Sequence, residues 1–225
     1  MNSKKIELYK KSLKLSDTQR KILVGVLLGD AHLETQNNGR TYRVKFEYSV
    51  SHKEYVYHLY EVFKEWVTTE PQLKCDKTHN NIWFQTISHP AFRFYAHQFY
   101  RNQRKCVPVR IIHKLLSEVS LAYWYMDDGS IKSKESKAVL FNTQGFCEKE
   151  VEKLCEVLAQ RFGLEATKRK QKEGWQIYIS GRSYERFVEI VLPYIVPSMM
   201  YKIPPERQHK CLKGNGGVQR FPQGV

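Results

Sequence analysis

Residues 21–33, KILVGVLLGDAHL, and residues 120–131, SLAYWYMDDGSI, decide how the chain is read. Each is an apolar run closed by a carboxylate, Asp30 in one and Asp128 in the other, 98 positions apart. The flanking sequence repeats as well. Residues 46–63, FEYSVSHKEYVYHLYEVF, align without gaps on residues 141–158, FNTQGFCEKEVEKLCEVL, at an offset of 95 that sets Phe46 on Phe141, Leu59 on Leu154 and Glu61 on Glu156. Further on, Lys105 and Pro108 recur as Lys202 and Pro204. The same parts in the same order, twice, imply a tandem duplication.

Each half reads as helix, two strands, helix, two strands, helix. Segment 17–29 is an apolar helix with Asp17 as its expected N-cap. Segment 41–48 alternates strictly, with Thr41, Arg43, Lys45 and Glu47 on one face and Tyr42, Val44, Phe46 and Tyr48 on the other, as a half-buried strand does. Residues 36–39, QNNG, and the pair Glu173 and Gly174 have hairpin-turn chemistry. Strands over 82–87 and 175–180 turn Ile82, Phe84, Ile177 and Ile179 inward and Trp83, Gln85, Gln176 and Tyr178 outward. The expected organisation is a first repeat over 1–103, a linker over 104–119, a second repeat over 120–204 and a loosely ordered tail over 205–225.

Composition narrows the function. The 225 residues are 41% hydrophobic, with 14 Tyr, 11 Phe and 4 Trp, which suffices for a sizeable core and argues against a disordered chain. No apolar run approaches the ~20 residues of a bilayer span, and the start, MNSKKIELYKKSLK, lacks the apolar centre of a secretory signal, so neither a membrane protein nor an exported one is expected. Five cysteines with no CxxC pair argue against a disulfide framework or structural zinc and read as reduced thiols, mostly packing. A net charge of +14 in a folded chain attracts polyanions, of which nucleic acid is the commonest.

Two duplicated helices would pack as a pseudo-symmetric pair. Gly25 and Gly29 share one helical face and permit close backbone approach, which would bring Asp30 and Asp128 together at the pseudo-twofold axis. Carboxylates at close range repel, and a divalent cation held by both resolves the repulsion. Oxygen-only ligation points to magnesium, with manganese as a substitute, and such an ion serves phosphodiester hydrolysis.

The pair LVGVLLGD and LAYWYMDDG resembles the two signature helices of the single-chain LAGLIDADG homing endonucleases, a likeness extended by FNTQGF and MMYKIP and covering residues 17–204. The resemblance implies an α+β fold of two αββαββα subdomains. Their antiparallel sheets would form a DNA-binding saddle, with the signature helices at the interface. It implies magnesium-dependent double-strand cleavage, with Asp30 and Asp128 as metal-binding acids and Lys105 and Lys202 as the basic residues of the cleavage centre, acting as base, acid or stabiliser of phosphate charge. Asp127 reads as a solvated or capping carboxylate. The chain departs from the family pattern at Ala31 and Tyr123, where glycine is usual, so helix packing would rest on Gly25 and Gly29. Glu47, Asn142 and Gln144 suit either water positioning or structural hydrogen bonding.

DNA reading falls to the outward strand faces, through Arg40, Arg43, Lys45, Trp83 and Gln85 in the first half and Lys132, Lys168, Lys170, Gln176 and Tyr178 in the second. Because the halves differ at these positions, the double-stranded target should be long and asymmetric, and the protein a monomer. Lys74, Lys77, Lys134, Arg207, Lys210 and Lys213 read as phosphate contacts or solvated charge. The rival readings on the same scaffold are an intron-splicing RNA maturase, which would bind intron RNA, and a non-cleaving DNA-binding regulator. The resemblance places the protein in a mitochondrion or chloroplast, or in a bacterial cytoplasm.

Overall fold

A computed structural model describes residues 3–75, 80–133 and 135–204, with side chains from residue 6 onward. Helix α1 (Ser3–Ser12) precedes α2 (Asp17–Leu28), β1 (His32–Glu34), β2 (Arg43–Ser49), α3 (Lys53–Phe63), β3 (Gln72–Cys75), β4 (Asn80–Gln85) and α4 (Arg93–Phe99). A ribbon of β5 (Tyr100–Arg101) and β6 (Arg104–Lys105) and a single turn, α5 (Ile112–Leu115), follow. The pattern then recurs as α6 (Glu118–Asp128), β7 (Gly129–Ile131), β8 (Val139–Phe141), α7 (Glu148–Phe162), β9 (Ala166–Gln171), β10 (Gly174–Ile179) and α8 (Tyr184–Val191). The two antiparallel sheets have the same topology, β1-β2-β4-β3 and β7-β8-β10-β9. This is the αββαββα repeat, twice, with its sheets forming the saddle. The 104–119 segment is well packed: Val107, Ile112 and Leu116 are fully buried, and the Val107 amide donates to Glu150 Oε1 at 3.0 Å.

Helix α2 is capped by Ser16, not by Asp17. The Ser16 hydroxyl accepts from the Gln19 amide at 3.1 Å and the Ser16 amide donates to Gln19 Oε1 at 3.0 Å, a complete capping box. Asp17 is the first helical residue instead, where its charge complements the helix dipole. Gln19 is itself buried and donates to the Val62 carbonyl at 2.8 Å, fastening the start of α2 to the end of α3.

The alternation of β2 holds: Val44, Phe46 and Tyr48 are buried, and Phe46 stacks on Phe84 at 4.5 Å. In the second sheet the register corrects the expected strand face. Directly opposed residues of an antiparallel pair point to the same side. Lys168 opposes the core residue Ile177, and Lys170 opposes Trp175. Both lysines therefore project toward the helices, and Lys168 pairs with Glu148 and Glu152 of α7 at 2.6 and 2.9 Å. The outward basic residue of β9 is Arg169, opposite Gln176.

Helices α2 and α6 run parallel, since Ser120 lies against Lys21 and Gly25 while Asp127 lies against Gly29. A methyl group at Gly25 would stand 2.4 Å from the Ser120 carbonyl, and one at Gly29 would stand 2.4 Å from Asp127 Cβ. Ser120, fully buried, donates from its hydroxyl to the Lys21 carbonyl at 2.8 Å, which locks the crossing. Among the described residues Cys106 is buried and Cys155 half-buried, whereas Cys75 and Cys147 are exposed, so packing accounts for only part of the thiols.

Because a backbone carbonyl cannot yield as a side chain can, Gly25→Ala should destabilise by about 1–3 kcal/mol, as overpacking does. Gly145 has nothing within 4 Å of an added methyl. Gly145→Ala should therefore stay within ~0.5 kcal/mol of wild type in urea unfolding, and equal effects of the two substitutions would contradict the close approach.

Candidate active site

The C-terminal ends of α2 and α6 bring three carboxyl groups and two ammonium groups into one region. Asp30 follows α2, and Asp127 and Asp128 end α6. Asp30 is solvent-exposed as a residue, yet surrounding protein strips enough water from its carboxyl to raise its pKa against the pull of Lys105, Lys202 and His52. Burial, then repulsion from Asp30, pushes Asp128 up to about 7, although Lys105 and Lys202 oppose the rise. The Trp124 indole N–H lies close enough to favour ionised Asp128 but makes no well-aligned hydrogen bond.

The lysines occupy matching places. Lys105 donates to the Gly29 carbonyl at 2.5 Å, and Lys202 donates to the carbonyls of Asp127 at 2.9 Å and Met126 at 2.5 Å. Gly29 and Asp127 are equivalent in the duplication, each preceding the motif acid. Each ammonium group is thus pinned to the carbonyl end of a signature helix, where cations are favoured. Burial lowers both lysine pKa values, and the three carboxylates oppose the lowering.

Asp127 is a cap, as one of its two expected roles has it, but it is not solvated. Its Oδ2 accepts from the Asp30 backbone amide across the helix pair at 3.0 Å, and its Oδ1 accepts from the Tyr55 hydroxyl at 2.9 Å. The Tyr48 hydroxyl donates to the same carboxyl at 3.2 Å. Burial, then repulsion from Asp30, holds the Asp127 pKa well above the ordinary range. With glycine at the equivalent position 29, the first helix offers Asp128 no counterpart to this brace.

Sequence reasoning missed Tyr48, Tyr55 and His52 at the centre. Their strand and helix periodicity reads as core, and only the fold shows that the two tyrosine hydroxyls converge on Asp127. His52 bridges the repeats, its Nε2 lying 3.2 Å from the Tyr201 hydroxyl beside Lys202. Burial and then Lys202 lower the His52 pKa.

Glu47 faces outward on the first sheet and pairs with Lys45 at 2.7 Å and Lys74 at 3.2 Å. Hydrogen bonding from Lys45, then from Asn81 and Lys74, outweighs partial burial and holds Glu47 at about 2. Asn142 donates to the Asp128 carbonyl at 3.0 Å and accepts from Gln176 at 2.8 Å. Gln176 is consequently buried and engaged, not free on the outer face. Gln144 has no side-chain hydrogen bond among the described residues.

Of the DNA-reading candidates, Arg43, Lys45, Trp83 and Gln85 line one cleft of about 660 Å³ on the first sheet, together with Lys74. Arg40 is exposed in the loop leading to β2. On the second sheet Lys132 lies 5.6 Å from the Tyr178 ring centre and Arg169 lies 3.4 Å from it. Lys168 and Lys170 are turned away, as the register requires. Lys77, Lys134, Arg207, Lys210, Lys213 and Cys211 lie outside the described residues.

The donor set suits a hard divalent cation. Asp30 and Asp128 are oxygen ligands whose raised pKa values report charge that a cation would relieve. Among the described residues no group of three or more His, Cys, Asp or Glu is placed to hold a metal alone, so phosphate oxygens and water would complete the coordination. No helix among them is long and apolar enough to cross a membrane.

Comparison with known proteins agrees with this geometry. Residues 20–187 match the profile of the LAGLIDADG DNA endonuclease family. A probable intron-encoded endonuclease 1 of Wickerhamomyces canadensis is 36% identical over 212 residues, covering 90% of this chain and 91% of that protein. The solved structure of the homing endonuclease I-WcaI bound to its DNA recognition sequence superposes with a TM-score of 0.84 at 35% identity, over 90% of this chain and 93% of that one. A cytochrome b mRNA maturase bI2 of Debaryomyces hansenii is 31% identical over 192 residues, covering 81% of this chain and 72% of that protein. The chain belongs to the LAGLIDADG DNA endonuclease family.

Proposed function

We propose that the protein is a monomeric homing endonuclease that makes a double-strand break at a long, asymmetric DNA site by metal-dependent phosphodiester hydrolysis. The observation that carries this reading is the duplicated placement of an acid and a pinned lysine at the ends of two parallel helices, where the first strand of each sheet begins. One such set would serve each DNA strand.

The divalent ion, magnesium in this reading, would be held by Asp30 and Asp128, and when bound it supplies Lewis-acid stabilisation and an activated water. Lys105 and Lys202 present fixed positive charge toward the phosphate. That charge favours the anionic transition state without reorganisation, because each ammonium group is already anchored to a helix carbonyl. Asp127 acts on Asp30 through its backbone and so is a positioning residue. Arg43, Lys45, Trp83 and Gln85, with Arg169, Lys132 and Tyr178 opposite, present the unlike halves of a base-reading face. The maturase reading has support from the cytochrome b maturase relatives, whereas a non-cleaving regulator leaves the retained acids and lysines without a purpose. The intron-encoded and maturase relatives support action in an organelle, at an intron-insertion site.

With a target obtained by selecting cleaved sites from a random duplex library, Asp30→Asn or Asp128→Asn should abolish linearisation of plasmid while leaving duplex binding in calcium intact. Wild-type linearisation by either folded variant would refute the paired-acid reading. Arg169→Ala should relax base preference locally at a cost of about 1–3 kcal/mol, while Lys168→Ala should leave the site profile unchanged. The reverse result would mean that the strand faces are assigned wrongly. Asp128 also predicts a pH effect on the metal-free protein. A carboxyl raised to about 7 in the folded state favours folding below its ordinary pKa, and this contribution disappears as pH rises through about 7. Asp128→Asn should therefore gain stability over wild type between about pH 4 and 8, by at most about 4 kcal/mol. A stability difference that stays flat with pH would contradict the raised pKa.

A further inference from the structure

The segment that delivers Lys105 has no counterpart in the second repeat. Residues 100–105 form the β5–β6 ribbon, whereas the equivalent stretch before Lys202 is a short 3₁₀ helix, Pro197–Lys202. In the ribbon Tyr100 pairs with Lys105 and Arg101 with Arg104, so the two pairs project from opposite faces. The first face anchors the ribbon. Lys105 donates to the Gly29 carbonyl, and the Tyr100 hydroxyl accepts from the Leu33 amide at 3.0 Å, on the free edge of β1. On the second face the Arg104 guanidinium reaches the Gly145 carbonyl at 3.4 Å, which ties the ribbon to the other repeat.

Two features of this ribbon work against folding. Arg101 and Arg104 stand directly opposite each other, exposed and with no carboxylate partner among the described residues, and like charges so placed repel. The tip between them has φ of 49° at Asn102 and 64° at Gln103. A two-residue turn with both values positive is the setting for glycine, and asparagine tolerates it far better than glutamine does. Both tip residues are exposed, and neither amide has a side-chain hydrogen bond among the described residues. A polyanion lying across the arginines would cancel their repulsion, and two free amides on an anchored tip suit base edges.

The tip borders the reading face. The cleft on the first sheet shares Glu34 and Arg43 with a second cleft of about 570 Å³, which runs past the free edge of β1 to Asn102 and Gln103. A duplex that lies over Arg43 and reaches the cleavage centre at Lys105 therefore passes the tip, since Gln103 is two residues from that lysine.

We infer that the β5–β6 ribbon is a further DNA-reading element, present in the first half only: Arg101 and Arg104 clamp a target phosphate, while Asn102 and Gln103 address base pairs between those read by Arg43 and the cut. The inference rests on the DNA-binding reading above, and its test is read from binding instead of cleavage. Glycine suits the turn, so the double variant Asn102→Gly, Gln103→Gly removes both amides without harming the ribbon. The full chain and its variants each select duplexes from a random library in calcium, and the base profiles are compared. The double glycine variant should keep a urea midpoint at or above that of wild type. It should discriminate at least about fivefold less at one or two adjacent base pairs, in one half-site, between the positions relaxed by Arg43→Ala and the centre. Arg101→Ala should weaken all duplexes alike and lower the log-log salt slope by about 0.9, and Arg101→Lys should restore it. An unchanged profile in the double glycine variant, a change confined to the other half-site, or a wild-type salt slope in Arg101→Ala would each overturn the proposal. A wild-type chain that binds its selected duplex in calcium but does not cut it in magnesium would count against the nuclease reading alone.

Discussion

The close crossing of α2 and α6 sets where both motif acids and both lysines stand. At Gly25 and Gly29 the first helix presents backbone where a side chain would collide with Ser120 or Asp127. That approach carries Asp30 to within hydrogen-bonding distance of the opposite helix, where the Asp127 carboxyl takes up its amide. It also concentrates carboxylates in a region where burial raises the pKa of each. Such charge crowding works against stability in the metal-free protein, and a divalent cation would relieve it.

Duplication supplied two equivalent frames, and divergence has made them unequal. Lys105 and Lys202 keep the same anchoring to a helix carbonyl. Asp127 and Gly29, at equivalent positions, do not share a role. Glu47, drawn into pairs with Lys45 and Lys74, differs from Asn142, which braces the Asp128 carbonyl and holds Gln176. An asymmetric centre beneath asymmetric strand faces is suited to a target whose halves are unlike.

Much of this was legible in the sequence because repetition is visible without coordinates. The two carboxylate-ended apolar runs, the alternating strand at 41–48 and the recurrent lysines carried the fold and the centre. What escaped has physical causes. Asp17 and Ser16 are both good caps, and only the Gln19 capping box decides between them. Lys168 and Lys170 look outward in a strand read alone, yet the tight turn after Gln171 fixes a register that places Arg169 there instead. Tyr48 and Tyr55 follow core periodicity, and their hydroxyls acquire meaning only when a residue from the other repeat, Asp127, arrives between them.

In the proposed mechanism Asp30 and Asp128 jointly hold a divalent cation against DNA phosphate. Electron paramagnetic resonance of manganese bound to the protein–DNA complex measures this most directly, with uncleaved duplex trapped by a non-hydrolysable linkage at the scissile bonds. The wild-type complex should retain manganese that the Asp30→Asn, Asp128→Asn double variant, still bound to the duplex, does not. Equal manganese occupancy in the two complexes would contradict joint ligation by Asp30 and Asp128.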